Sequence, residues 1–225
     1  MLIVVVSNKE WHRQYIGELS ARTGSEVVYI DNKSEVNYQR FAAMQPDWVF
    51  FPHWSYIIPA DVYENFRCVI FHMTDLPFGR GGSPLQNLIA RGIYETKLSA
   101  LCCCGELDAG DVYLKKNLSL WGNAEEIYLR AAELGKEMMI EIVREDMQAK
   151  PQQGEVVLFK RRKAEEGNID GLHSLKAVFD YIRMLDAETY PSAFLDSEHL
   201  HLEFNRAALK NGYIMADVKI SLRDS

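Results

Sequence analysis

His72 closes the apolar run Val69-Ile70-Phe71, and Asp108 sits in a Leu107-Asp108-Ala109-Gly110-Asp111 turn that follows a second apolar run. An imidazole beside a carboxylate is a proton-transfer pair. The carboxylate fixes the ring's tautomer, and either group can hold a proton while a neighbouring bond forms or breaks. Between the two lies Asp75-Leu76-Pro77-Phe78-Gly79-Arg80-Gly81-Gly82-Ser83-Pro84, too rich in Gly and Pro to read as a strand or helix. A histidine after an apolar run is more often a hydrogen-bonded core residue, but one followed by such a loop borders a cleft. Asp108 and Asp111 alone suit a plain turn, for which Asp and Gly are the usual residues. The pairing with His72 favours chemistry over the turn.

Other residues carry weaker signals. His53 follows the Trp48-Val49-Phe50-Phe51 run and reads equally as a site residue or as a strand-end histidine. Ser7-Asn8-Lys9 follows the first apolar run, where backbone N–H groups and a lysine could hold a phosphate; without a Gly-rich fingerprint, a solvated turn is the stronger reading. Arg80 could meet an anion or stay structural. Lys160-Arg161-Arg162-Lys163 reads as a solvated basic face or a surface near an acceptor. Cys68, Cys102, Cys103 and Cys104 have neither CxxC spacing nor a disulfide framework, so they read as small apolar fillers in a reducing cytoplasm, with no metal site implied.

The elements that must position these groups alternate. Leu2–Val6, Glu26–Ile30, Trp48–Phe51 and Arg67–Phe71 read as buried strands; Trp11–Ala21 and Ser34–Ala43, the latter with Ser34 as N-cap, read as helices between them. That rhythm predicts right-handed βαβ units on a doubly wound, mainly parallel sheet, an α/β fold. Pro84–Arg91 reads as a helix capped by Ser83, Lys97–Cys104 and Val112–Leu118 as strands, and Asn123–Val143 as a long amphipathic helix. The break at Gln148–Gly154 places a boundary near 150, giving a domain over 1–150 and a linker with a small α+β extension over 151–225. The extension holds a helix over Leu172–Leu185 and strands near 199–205 and 213–221.

At 225 residues, 48% apolar and 25% charged, the chain has a globular profile. Its net charge of −7 argues against a nucleic-acid partner. No stretch reaches the roughly 20 apolar residues that span a bilayer, and Met1–Val6 lacks the basic flank of a signal peptide, so the expected place is the cytoplasm, off the membrane.

Tyr56-Ile57-Ile58-Pro59, Phe71-His72, Leu76-Pro77, Arg80-Gly81-Gly82-Ser83-Pro84-Leu85-Gln86 and Leu107-Asp108-Ala109-Gly110-Asp111 follow one another in an order that resembles the 10-formyltetrahydrofolate-dependent formyltransferases. Arg161–Asp170, Ile182-Arg183 and Tyr190-Pro191 resemble that family's C-terminal linker. The resemblance implies a Rossmann-like formyltransferase fold and 10-formyltetrahydrofolate as cofactor. It makes His72 and Asp108 the catalytic pair: an N–H donor for the formyl oxygen and a proton acceptor for the attacking amine. It implies a folate slot between Trp54, Tyr56, Ile57 and Ile58 on one side and Cys103, Cys104 and Gly105 on the other; Asn8, Lys9, Arg80, Gly81, Gly82 and Ser83 are the candidate acceptor contacts. The family's Asn-x-His motif is broken here, since Ile70 holds the Asn position; His53 is the candidate replacement. The acidic charge and chain length point to a nucleotide-linked amino sugar as acceptor, with no nucleic acid; a homodimer is the candidate assembly. The alternatives are another carrier-bound amine, such as an aminoacyl group, or a catalytically silent folate- or nucleotide-binding relative.

Overall fold

The computed structural model describes residues 1–188 and 190–223. In chain order its first elements are β1 Leu2–Val6, α1 Glu10–Arg13, α2 Ile16–Thr23, β2 Glu26–Ile30, α3 Tyr38–Met44, β3 Trp48–Phe51, α4 Ala60–Tyr63, β4 Cys68–His72 and β5 Phe78–Gly81. Then come α5 Pro84–Ala90, β6 Glu95–Cys102, β7 Val112–Ser119, α6 Ala124–Arg144, β8 Val157–Phe159, α7 Leu175–Leu185, β9 Ala193–Asp196, β10 Leu200–Lys210 and β11 Tyr213–Leu222. Packing sorts the chain into two units. The first holds Met1–Gly81, Thr96–Leu118 and Leu129–Leu158; the second holds Gly82–Glu95, Ser119–Tyr128 and the chain from Phe159 onward. This grouping cuts across chain order, whereas the division expected near 150 follows it.

The first unit is built on a six-stranded sheet in the order β2-β1-β3-β4-β6-β7. β1 to β4 pair in parallel, and β6 runs antiparallel to β4. The sheet is therefore mixed with a parallel majority, and the α/β reading stands. Its centre is β-branched and aromatic because it is covered on both faces: Ile3, Val4, Val5, Val6, Val49 and Phe50 have no exposed surface. Each such side chain contributes about 1.5–3 kcal/mol through burial. Gly24, at φ 65, ends α2.

Several elements depart from the sequence reading. The helix expected over Trp11–Ala21 is two short helices, α1 and α2. Ser34 lies in a 3-10 turn capped by Asn32, and the cap of α3 is Asn37, whose side chain accepts from the Arg40 N–H. The Gly/Pro loop holds a strand after all: β5 pairs with β8 in a two-stranded sheet. β6 ends at Cys102 instead of Cys104, and Cys104 is exposed, so it is no core filler.

The second unit carries an antiparallel sheet in the order β11-β10-β9, with α7 packed on β10. β9 escaped the sequence reading because four residues with one charge carry little periodicity. α7 begins at Leu175, three residues later than expected, because Ser174 caps it through the Ala177 N–H. The buried Arg183 guanidinium donates to the carbonyls of Leu120 (2.6 Å) and Gly122 (2.7 Å) and to Asp180 (2.8 Å). In α5 the buried Gln86 donates to the Met184 carbonyl at 3.0 Å. No described helix is long and apolar enough to cross a membrane.

Candidate active site

His72 ends β4 and is 7% exposed; Asp108, in the β6–β7 connection, is 8% exposed. Asp108 Oδ2 lies 3.5 Å from His72 Nδ1. That is longer than a good hydrogen bond. β5 holds both partners. The Gly79 carbonyl sits 2.7 Å from His72 Nε2; a carbonyl only accepts, so Nε2 carries a proton and Nδ1 is the nitrogen that faces Asp108. Two residues on, the Gly81 N–H donates to Asp108 Oδ2 at 2.9 Å. Asp108 adopts φ 51, a backbone region that Asp enters more readily than most residues.

His72 and Asp108 leave the sheet at different places. β6 runs opposite to β4, so Cys102 pairs with Val69 and the Cys103 N–H reaches the Cys68 carbonyl, at the start of β4. The connection after Cys103 folds back to bring Asp108 to His72.

Two residues in this connection's surroundings were absent from the sequence reading. The Gln152 side-chain amide donates to the carbonyls of Asp108 and Gly110, each at 2.8 Å, and its oxygen accepts from Arg80 Nε (3.1 Å) and Nη2 (3.0 Å). Gln152 lies in the segment read as an interruption, where no periodicity draws attention to a side chain. The Gly79 contribution is main-chain and leaves no residue-type signal. Arg80 also contacts Glu106 at 3.3 Å and is engaged within its unit.

The residues expected to line a folate slot divide. Ile58 is 8% exposed and belongs to a core cluster against which Trp54, Tyr63, Ile70 and Cys103 pack. Tyr56 stacks edge-on to Trp54 with ring centres 5.1 Å apart. Ile57 is 93% exposed and Cys104 is exposed, so neither lines the buried part. Trp54 Nε1 is buried with no hydrogen-bond partner. A Cβ on Gly105 would stand 3.4 Å from the Tyr63 hydroxyl, an ordinary contact, so this position does not demand glycine. Burial, then the charges of Cys104 and Asp108, push the Cys103 thiol up to about 12, which excludes it as a nucleophile at neutral pH.

His53 adopts φ 51 and keeps ring contacts with Trp11 (6.1 Å) and His12 (6.5 Å). Burial, with Lys9 as a second cause, lowers its pKa to about 4; burial, then His53 and Lys9, lower that of His12 to about 3. Both rings are neutral at physiological pH, so His53 can offer an N–H but no imidazolium. Ser7 Oγ accepts from the Lys9 N–H at 3.2 Å and lies 2.6 Å from His12 Nδ1. Asn8 is exposed, and the helix after Lys9 has only four residues, too short to present a phosphate-binding end.

In the second unit, Gly82 lies so close to Arg161 that a Cβ would stand 2.6 Å from the Arg161 Cα. Ser83 precedes α5 at φ 49 without capping it; its hydroxyl meets the Tyr190 hydroxyl at 2.8 Å and accepts from the Arg162 N–H at 3.1 Å. Among the described residues no group of His, Cys, Asp and Glu is arranged to hold a metal.

Comparison with known proteins places this geometry. The family described as "Methionyl-tRNA formyltransferase, C-terminal domain" matches residues 164–221. A methionyl-tRNA formyltransferase of Marinobacter nauticus is 28% identical over 208 residues, which cover 88% of this chain and 66% of that protein. The chain therefore spans just under two thirds of that relative's length. The solved structure of a methionyl-tRNA formyltransferase from Clostridium thermocellum is 44% identical, with a TM-score of 0.95, and the match covers 99% of this chain and 100% of that one. HypX from Aquifex aeolicus, solved with tetrahydrofolic acid, shares the fold at 21% identity and a TM-score of 0.74, covering 91% of this chain and 37% of that one. These relatives overturn the expectation of a nucleotide-sugar acceptor and of no nucleic-acid partner. The error came from reading net charge as a whole: a sum of −7 does not describe the exposed Lys160, Arg161 and Lys163.

Proposed function

The chain belongs to the formyltransferase family, and from that premise we propose that it transfers a formyl group from 10-formyltetrahydrofolate to the amine of methionine carried on tRNA. The observation that carries the reading is the buried carboxylate of Asp108 facing His72 Nδ1 at 3.5 Å. When bound, the folate supplies the formyl carbon, and a new N–C bond to the acceptor replaces the bond to the folate nitrogen. Asp108 Oδ2 takes the proton that the attacking amine must lose. His72 keeps its Nε2 proton on the Gly79 carbonyl, so its Nδ1 lone pair shares the incoming proton with Asp108 and holds it for return to the leaving nitrogen. His53, neutral and able to donate an N–H, serves the formyl oxygen in place of the Asn that Ile70 replaces. Trp54, Ile58, Cys103 and Gly105 hold the pterin, consistent with the orphaned Trp54 Nε1. Lys160, Arg161 and Lys163, exposed on the second unit, suit a phosphate-bearing acceptor.

The test is a formyl-transfer assay with 10-formyltetrahydrofolate and three acceptors: methionyl-tRNA, free methionine and a panel of nucleotide amino sugars. Turnover with methionyl-tRNA in clear excess over the others is expected. Preference for an amino sugar would overturn the acceptor. One observation favours a second reading: Ile70 packs into the core cluster and has no donor for a formyl oxygen. Retained folate binding with no turnover on any acceptor would support that silent binding module.

A further inference from the structure

We propose that Gln152 is a positioning residue that aims Asp108 by anchoring the β6–β7 connection to β5. The kinetic part of this inference rests on the formyl-transfer reading. Both N–H groups of the Gln152 amide are used on the connection itself, on the Asp108 and Gly110 carbonyls at 2.8 Å. Its oxygen takes two charge-assisted bonds from Arg80 at 3.0 and 3.1 Å. Arg80 stands between Gly79, which holds His72, and Gly81, which holds the Asp108 carboxylate. The bonds close a ring. β5 fixes the imidazole, fixes the carboxylate and, through Arg80 and Gln152, fixes the backbone that carries the carboxylate. Asp108 is thus gripped at its side chain by Gly81 and at its main chain by Gln152, which holds its φ of 51 against relaxation.

The connection needs such an anchor because the strands do not supply one. β6 delivers the chain beside Cys68, and the path back to His72 crosses 103–111, where none of the described residues is in a helix or strand. Freed of Gln152, the carboxylate keeps a single main-chain donor and loses its bearing on Nδ1. A misplacement of about 1 Å at a reacting group costs on the order of a hundredfold in rate.

Two variants separate the roles of the amide. Gln152→Ala removes both halves. Gln152→Glu keeps oxygens for Arg80 but offers no N–H to the Asp108 and Gly110 carbonyls. Both are expected to fold with near-native melting temperatures and to lower kcat about tenfold to a hundredfold, with KM for the folate moving less than about threefold. Gln152→Glu activity close to wild type would overturn the inference, because it would show that Gln152 serves Arg80 alone. A second readout needs no turnover. Amide hydrogen exchange at Gly81, whose N–H sits on the Asp108 carboxylate, is expected to quicken in both variants. Unchanged Gly81 exchange would also overturn the inference. Should the wild-type protein transfer no formyl group to any acceptor, the function reading falls, and the Gly81 exchange rate still judges Gln152.

Discussion

Asp108 combines two properties that pull apart. Its φ of 51 is strained for a residue with a side chain, by roughly 1–3 kcal/mol, while its carboxylate is the proposed proton acceptor. Asp108→Asn keeps the backbone preference and removes the base, so kcat for formyl transfer is expected to fall by about 10²–10⁴ with an unchanged melting temperature. Asp108→Gly relieves the strain, and it should lose activity while unfolding at equal or higher temperature. Near-normal kcat in the Asn variant, measured in the same assay, would remove Asp108 from the mechanism. At this scale the sequence was most legible where a residue type announces its chemistry, as in His72 and Asp108. It was illegible where the chemistry belongs to the backbone, as at the Gly79 carbonyl and the Gly81 N–H. Ser83 shows a third case: its type suits a helix cap, but Tyr190 and Arg162 claim its hydroxyl.

Among the elements, the early strands were readable because burial on both faces forces unbroken apolar runs. Strand direction was not, since the same run serves a parallel or an antiparallel neighbour. Hence the reversal of β6 and the return path of the connection after it were missed. β5 was missed because its Gly79 and Gly81 carry no strand propensity; pairing with β8 overrides it. The connection's tightness is testable at Gly110, where a Cβ would stand 2.0 Å from the Cys102 carbonyl oxygen. Gly110→Ala is expected to lower stability by about 1–3 kcal/mol, read as a lower urea midpoint. The cap of α3 gives a cleaner comparison. Asn37→Ala should cost about 1 kcal/mol, and Ser34→Ala should leave the midpoint within error, the reverse of what the sequence alone suggests.

For the molecule as a whole, His12 and His53 set the acid limit. The unfolded chain protonates each imidazole as pH falls through about 6.5, whereas the folded chain resists until about 3 for His12 and about 4 for His53. Between pH 6.5 and about 4 the unfolded state binds more protons, so stability present above 6.5 is lost at about 1.4 kcal/mol per histidine per pH unit. Urea titrations at pH 7 and pH 5 should show this loss, and Asn at either position should shrink it. Salt probes the opposite sign of charge. Replacing Lys160, Arg161 and Lys163 by Ala should raise KM for methionyl-tRNA and flatten its dependence on salt, by a slope of roughly 0.7–0.9 for each phosphate contact removed.

The two units interleave along the chain, and α6 passes from one to the other after Tyr128. A fragment excised at Phe159 would carry Arg183 away from the Leu120 and Gly122 oxygens, leaving an interior cation with its main-chain acceptors gone. Cloning either half by a single cut should therefore give inclusion bodies, and co-expressing the two pieces should rescue soluble material only when each brings its missing stretches to the other.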